Sequence, residues 1–320
     1  MAGDNLKDAA RRTLSDCMGV RAGEVVTVVT DDVVRGVGEA LAREAGELGA
    51  DPILAIMRPR RISGEEPPEP VAALMRESQV LLLATKASLS HTRARKAASK
   101  AGARCASMPG ITEDIMVRTM AVDYRDVAAR SRKLADSLAG VKHFHLTSPA
   151  GTDITINATD LKYSTDTGTY NDPGDFGNLP AGEVCAGPVL EGSTGVAVFD
   201  GSFAGLGLMT EPIRITFEDG VATAIEGGEQ ADALRALLEP FGEGGRVLAE
   251  IGIGTHPTAQ LTGVILEDEK IAGTVHLALG NNVGFGGAND VALHVDGVIL
   301  SPTLVTDDGE TVLDKGTPNF

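Results

Sequence analysis

The stretch EVVTVVTDDVVRGVGEALAREAGELGADPILAIM, residues 24–57, decides the fold of the first part of the chain. Residues 24–30 are β-branched at nearly every position and predict a strand. Residues 33–48 space their apolar side chains as a helix does and stop at Gly49, the residue type that closes helices. Residues 52–57 (PILAIM) return to a strand. Working outward, the same grammar repeats. A helix is predicted over 71–77, after Pro67, Pro68 and Pro70, and a strand over 79–83. A basic helix follows at 90–101, a strand at 103–107 and a helix at 124–139. Such alternation predicts a parallel sheet with helices on both faces and a Rossmann-like topology over residues 1–140. The turn after the first strand reads Thr30-Asp31-Asp32, and no glycine-rich phosphate loop follows any strand. Two carboxylates there repel a pyrophosphate, so the topology is expected without a dinucleotide.

Past Gly140 the pattern changes. Short β runs separated by glycines are predicted at 143–146, 153–156, 195–199, 213–217, 274–278, 291–295 and 298–300, with one clear helix at 229–238. The expectation is α/β followed by α+β: a parallel-sheet domain over 1–140, then a mixed, β-rich metal-binding domain over 141–320.

Composition narrows the function. Of 320 residues, 42% are hydrophobic and 23% charged, enough for a sizeable core. No apolar run reaches the 18 or so residues that a membrane helix needs, and residues 1–12 carry no apolar stretch of the signal-peptide kind. The cysteines Cys17, Cys105 and Cys185 are odd in number and far apart, so no disulfide framework is expected and each reads as a buried filler. A cytoplasmic protein is the simplest expectation. The net charge of −17 falls almost wholly on residues 141–320, while residues 1–140 are near neutral. That field speaks against a nucleic-acid partner and favours a divalent cation or a substrate ammonium; solubility accounts for the same excess equally well.

Three of the six histidines, His256, His276 and His294, lie within the window 256–294; the others are His91, His143 and His145. The sharpest local signal is His294-Val295-Asp296. On a strand, positions i and i+2 face one side, so the imidazole and the carboxylate project together as a metal site requires; a hydrogen-bonded pair on a sheet surface would look the same. His276 stands in an apolar run before the polar loop 281–289. Glu183 and Glu250 stand in apolar or glycine-rich settings without a counter-charge close in sequence, although either alone also reads as a solvated turn residue.

Together these segments resemble the thermophilic metalloaminopeptidases typified by aminopeptidase T and aminopeptidase S. The resemblance rests on TSPAGTD (147–153), GNLPAGE (177–183), AEIGIGT (249–255), LEDEK (266–270), GTVHLALG (273–280) and HVDG (294–297). It implies metal-assisted hydrolysis of small peptides by a homodimer, with zinc, cobalt or manganese, one or two per chain. The implied ligands are Glu183, Glu250, His276, His294 and Asp296, with Glu183 and Glu250 also catalytic. The tyrosine that the resemblance implies seven residues after the first histidine is Val283 here, and Asn282 is its candidate replacement. The same superfamily is similar to the 2,5-dihydroxypyridine ring-cleaving dioxygenases. That alternative implies one Fe(II) held by two histidines and a carboxylate, with His256, His294 and Asp296 as candidates and His91 facing the ring of a small-molecule substrate. A third reading is a binding protein descended from a metalloenzyme.

Overall fold

The computed structural model describes residues 2–320. The chain divides into two compact units. One comprises the chain up to Ala128 together with Asp166–Ala181; the other comprises Ala129–Thr165 and Gly182–Phe320. The division is not the single cut expected near Gly140. It falls inside the helix Tyr124–Ser137, and residues 166–181 return to the first unit.

In the first unit, β1 (Val25–Asp31), β2 (Asp51–Met57), β3 (Val80–Ala84) and β4 (Arg104–Ser107) pair in parallel in the order β2-β1-β3-β4. The segment Phe176–Asn178 adds a fifth parallel strand beside β4; three residues are too few to show periodicity in sequence. The helices Arg35–Glu47, Glu69–Arg76 and Arg93–Lys100 connect the strands. The last begins at Arg93 and not at residue 90, because Thr92 caps it by accepting from the Arg95 N–H. At the end of β1 the Asp31 carboxylate accepts backbone N–H bonds from Val33 (3.0 Å) and from Lys86 (2.7 Å) beyond β3. It thereby ties together the two strands between which the order reverses.

The second unit is a pair of antiparallel sheets. Eight strands form one, ordered 221–226, 213–218, 189–199, 153–157, 143–147, 303–306, 311–314 and 317–318. The centre of the other runs His294–Ile299, Val275–Gly280, Leu248–Gly254, Glu183–Ala186. Apolar side chains from both sheets share one core, among them Phe144, Ile154, Ile215 and Phe217 from the first and Ile251, Ile253, Leu277 and Ile299 from the second. His294–Ile299 is one strand where two, at 291–295 and 298–300, were expected on either side of Gly297. That glycine does not turn the chain. It pairs with Leu277 and lies against Phe199 and Phe203, where a Cβ would come within 2.5 Å of either ring.

Candidate metal centre

Strand register gathers the chemistry on one face of the second sheet. Gly252 pairs with His276 and with Cys185, Gly254 with Glu183, Ala278 with Asp296, and Gly280 with His294. Directly paired residues face the same side, and so do alternate residues along a strand. Glu183, Cys185, Glu250, His276, His294 and Asp296 therefore share one face, and Val184, Ile251, Ile253, Leu277 and Val295 face the core on the other. Two strands that carry the key carboxylates, Glu183–Ala186 and Leu248–Gly254, were not foreseen as strands. Neither glutamate is a solvated turn residue: both are buried.

The glycines of Ile251-Gly252-Ile253-Gly254 have a steric reason. A Cβ on Gly252 would lie 2.0 Å from His276 Nε2, and one on Gly254 would lie 2.1 Å from the Ile271 carbonyl oxygen. The first lets the Nε2 end of an imidazole come up against the strand; the second lets the backbone before His276 do so.

The five residues singled out by sequence converge. Three groups have ligand atoms within 4.8 Å of one another: Glu183, Glu250 and His276; Glu250, His294 and Asp296; and Glu269, His276 and Asp296. His294 Nε2 lies 3.0 Å from Glu250 Oε2 and 3.5 Å from Asp296 Oδ1. His276 Nε2 lies 3.4 Å from Glu183 Oε2 and 3.5 Å from Glu250 Oε1. Those last separations are too long for good hydrogen bonds, and both ring nitrogens of the buried His276, with Glu183 Oε2, have no hydrogen-bond partner. Ligand atoms about 2.1 Å from one ion sit roughly 3–3.5 Å apart, and the separations around both His294 and His276 fall in that range, as groups gathered about positive charge do. His294 is oriented as metal-bound histidines are: Nδ1 donates to the Asn281 carbonyl oxygen at 2.8 Å, which turns Nε2 towards the carboxylates. These residues fit a divalent metal ion.

Sequence reading assigned no role to Lys270 or Glu269. Lys270 is fully buried, with Nζ 2.7 Å from Glu183 Oε1 and 2.5 Å from Glu269 Oε1. The run Leu266-Glu267-Asp268-Glu269-Lys270 looks like a solvated charge patch in sequence, yet every one of its residues is buried. Four carboxyl groups (Glu183, Glu250, Glu269, Asp296) thus share a buried cluster with one ammonium, an imbalance that such a site relieves by taking up protons or further positive charge; burial, with Asp296 and Glu183, raises the Glu269 pKa to about 8.

The imidazoles respond to that imbalance. Burial disfavours a charged His276, but Glu250 and Glu183 outweigh it and raise its pKa to about 9. Burial likewise opposes a charged His294, and Asp296 and Glu250 raise it well above the ordinary value. Burial pushes Glu250 up, but the two histidines pull it below the usual carboxylate range. Burial holds the Cys185 thiol protonated, helped by Glu250 and Glu183. A folded-state value near 9 against an ordinary 6.5 means that the stability from a protonated His276 is fully present below pH 6.5 and is lost as pH rises through 9. The metal-stripped protein should therefore melt several degrees lower at pH 9.5 than at pH 6.5, as thermal denaturation would show. An unchanged melting temperature would mean that His276 holds no proton beside these carboxylates.

Three other candidates belong to none of these groups. His256 is fully buried but belongs to none of the three groups. Its Nδ1 accepts the backbone N–H groups of Thr258 (3.3 Å) and Ala259 (3.1 Å), so it holds a loop. The ligand set His256, His294 and Asp296 is not brought together. Asn282 Oδ1 accepts from the Asn289 N–H at 2.8 Å and closes the 281–289 loop, and Val283 beside it is 48% exposed. His91 is exposed, in the turn before the helix Arg93–Lys100 of the other unit. Among the described residues, no helix is long and apolar enough to cross a membrane.

A family model described as NicX, 2,5-dihydroxypyridine 5,6-dioxygenase, matches residues 5–319. No curated protein matches the chain. Among solved structures, the 2,5-dihydroxypyridine dioxygenase from Pseudomonas putida KT2440 is similar with a TM-score of 0.81 and 18% identity, over 99% of this chain and 98% of that one. Wild-type AmpT from Thermus thermophilus is similar with a TM-score of 0.73 and 19% identity, over 99% of both chains. At such identities the two structures establish a shared fold. The family match favours the reading held as the alternative. Because it spans nearly the whole length, this chain belongs to the 2,5-dihydroxypyridine 5,6-dioxygenase (NicX) family.

Proposed function

We propose that this protein is a metal-dependent dioxygenase that opens the ring of a dihydroxypyridine-type substrate, with one Fe(II) held by Glu250, His294 and Asp296. The observation that carries this reading is the family match over residues 5–319. When bound, Fe(II) supplies the redox chemistry that ring cleavage by dioxygen requires. The chain's own residues bind, orient and take up protons. The Asn281 carbonyl fixes the His294 ring. His294 and Asp296 are the more open side of the cluster, their side chains 23% and 14% exposed, and substrate enters there. The Phe285 ring, 6.1 Å from that of His294, gives an aromatic substrate an apolar wall. Glu183 Oε2 lacks a hydrogen-bond partner and is the acceptor for a substrate hydroxyl proton.

One observation favours hydrolysis of peptides as a second reading. Glu250 presents one oxygen to each histidine, as a carboxylate bridging two cations would. The two readings part in one experiment. Reconstituted with Fe(II) and given 2,5-dihydroxypyridine, the protein should consume oxygen as the aromatic absorbance disappears. No oxygen uptake, together with release of an N-terminal residue from a peptide in the presence of zinc, cobalt or manganese, would replace this proposal with the hydrolytic one.

A further inference from the structure

The fold devotes a whole segment to burying one lysine. After Gly254 the chain leaves the site face and returns over it at residues 270–271. The His256 N–H donates to the Lys270 carbonyl at 2.8 Å, and the Lys270 N–H donates to the Glu267 carbonyl at 2.9 Å. The buried carboxylates of Glu267 and Asp268 brace the intervening loop. Glu267 accepts from the Gln260 N–H, and Asp268 accepts from the N–H groups of Thr262 and Gly263. Gly254 has no side chain to hold this segment off the sheet: a Cβ there would lie 2.8 Å from the Lys270 carbonyl carbon. Gly254 pairs with Glu183, which is the carboxylate that the Lys270 ammonium meets. The same contacts account for the burial of His256, whose ring and backbone both serve this loop.

We propose that the Lys270 ammonium stands where a two-cation centre would hold its second ion, and so limits this centre to one divalent cation. The proposal rests on reading Glu250, His294 and Asp296 as the cation site. The second group of ligand atoms, Glu183, Glu250 and His276, has the residue types for another ion. However, Glu183 Oε1 is already engaged at 2.7 Å and Glu269 at 2.5 Å by a fixed positive charge. A divalent ion drawing on Glu183 would sit beside that ammonium in a buried environment, where like charges repel strongly. Removing the ammonium frees two carboxylates beside an imidazole that has no hydrogen-bond partner and leaves a site for a second ion.

The test is Mn(II) binding to the metal-stripped full chain, followed by calorimetry and by electron paramagnetic resonance. The wild-type protein should take one ion per chain, Lys270→Arg one, and Lys270→Met two. Should the methionine variant fail to fold, Lys270→Gln, which keeps a neutral hydrogen-bonding side chain one atom shorter than lysine, takes its place with the same expectation. Two ions, or none, on the wild-type chain would overturn the proposal. So would a folded neutral variant that still takes one. Oxygen uptake is not read in this experiment. The expected ion counts without ring cleavage would leave the role of Lys270 standing and remove the proposed reaction, and ring cleavage with two ions on the wild-type chain would do the reverse.

Discussion

Glu250→Gln is expected to weaken binding of a divalent cation by on the order of 100-fold or more, with the fold retained. Glutamine has nearly the shape of glutamate, so the core behind the Leu248–Gly254 strand is undisturbed. The loss is of charge and of donor atoms. Glu250 is buried, and its two oxygens are the atoms that His276 Nε2 and His294 Nε2 approach at 3.5 and 3.0 Å. It also belongs to two of the three groups able to hold an ion, and no other residue belongs to both of the groups that contain it. A neutral amide at that point removes an anionic ligand and turns an N–H group towards the cation. Metal titration of the stripped variant is the measurement. Affinity within about threefold of wild type would show that the ion is held without Glu250.

Gly252→Ala is expected to lower cation affinity and activity by about 10–100-fold, the range seen when the support of a ligand is disturbed. Gly252 does not adopt a left-handed backbone conformation, so alanine meets no backbone strain. The obstacle is the His276 ring, whose Nε2, Cε1 and Cδ2 would lie 2.0, 2.2 and 2.9 Å from the new methyl. Either the imidazole tilts away from Glu183 and Glu250, or the strand bows. The first is expected, because the strand is paired on both sides, with Val275–Gly280 and with Glu183–Ala186, whereas the ring has no hydrogen bond to hold it. Comparing metal titration with thermal unfolding of the stripped variant separates the two. A large loss of stability with unchanged affinity would mean that the strand yields and the ring does not.

Much of this architecture is legible in sequence because its periodicities are long. The alternation over residues 24–107 and the helix at 229–238 need only local patterning to be seen. The strands bearing Glu183 and Glu250 escape it for a physical reason. Their site face carries carboxylates, a thiol and glycines instead of regularly alternating polar residues, so Glu183-Val184-Cys185-Ala186 and Leu248-Ala249-Glu250-Ile251-Gly252 do not read as half-buried strands. The five residues that gather on the site face, Glu183, Glu250, His276, His294 and Asp296, are legible through motif order, since each sits in a short segment of distinctive composition. Lys270 is not, because the sign that it matters is its burial, and a run of four charged residues predicts the opposite. His256 misleads for the converse reason: a histidine before proline in a glycine-rich run looks like a ligand until its Nδ1 is seen accepting backbone N–H bonds.

Anomalous diffraction from crystals loaded with Fe(II), recorded at the iron edge, tests the centre most directly. A single peak is expected about 2.0–2.3 Å from His294 Nε2, Asp296 and Glu250. A peak bound to other residues, or a fully loaded crystal with no peak beside His294, would contradict the assignment of this face of the sheet as the metal centre.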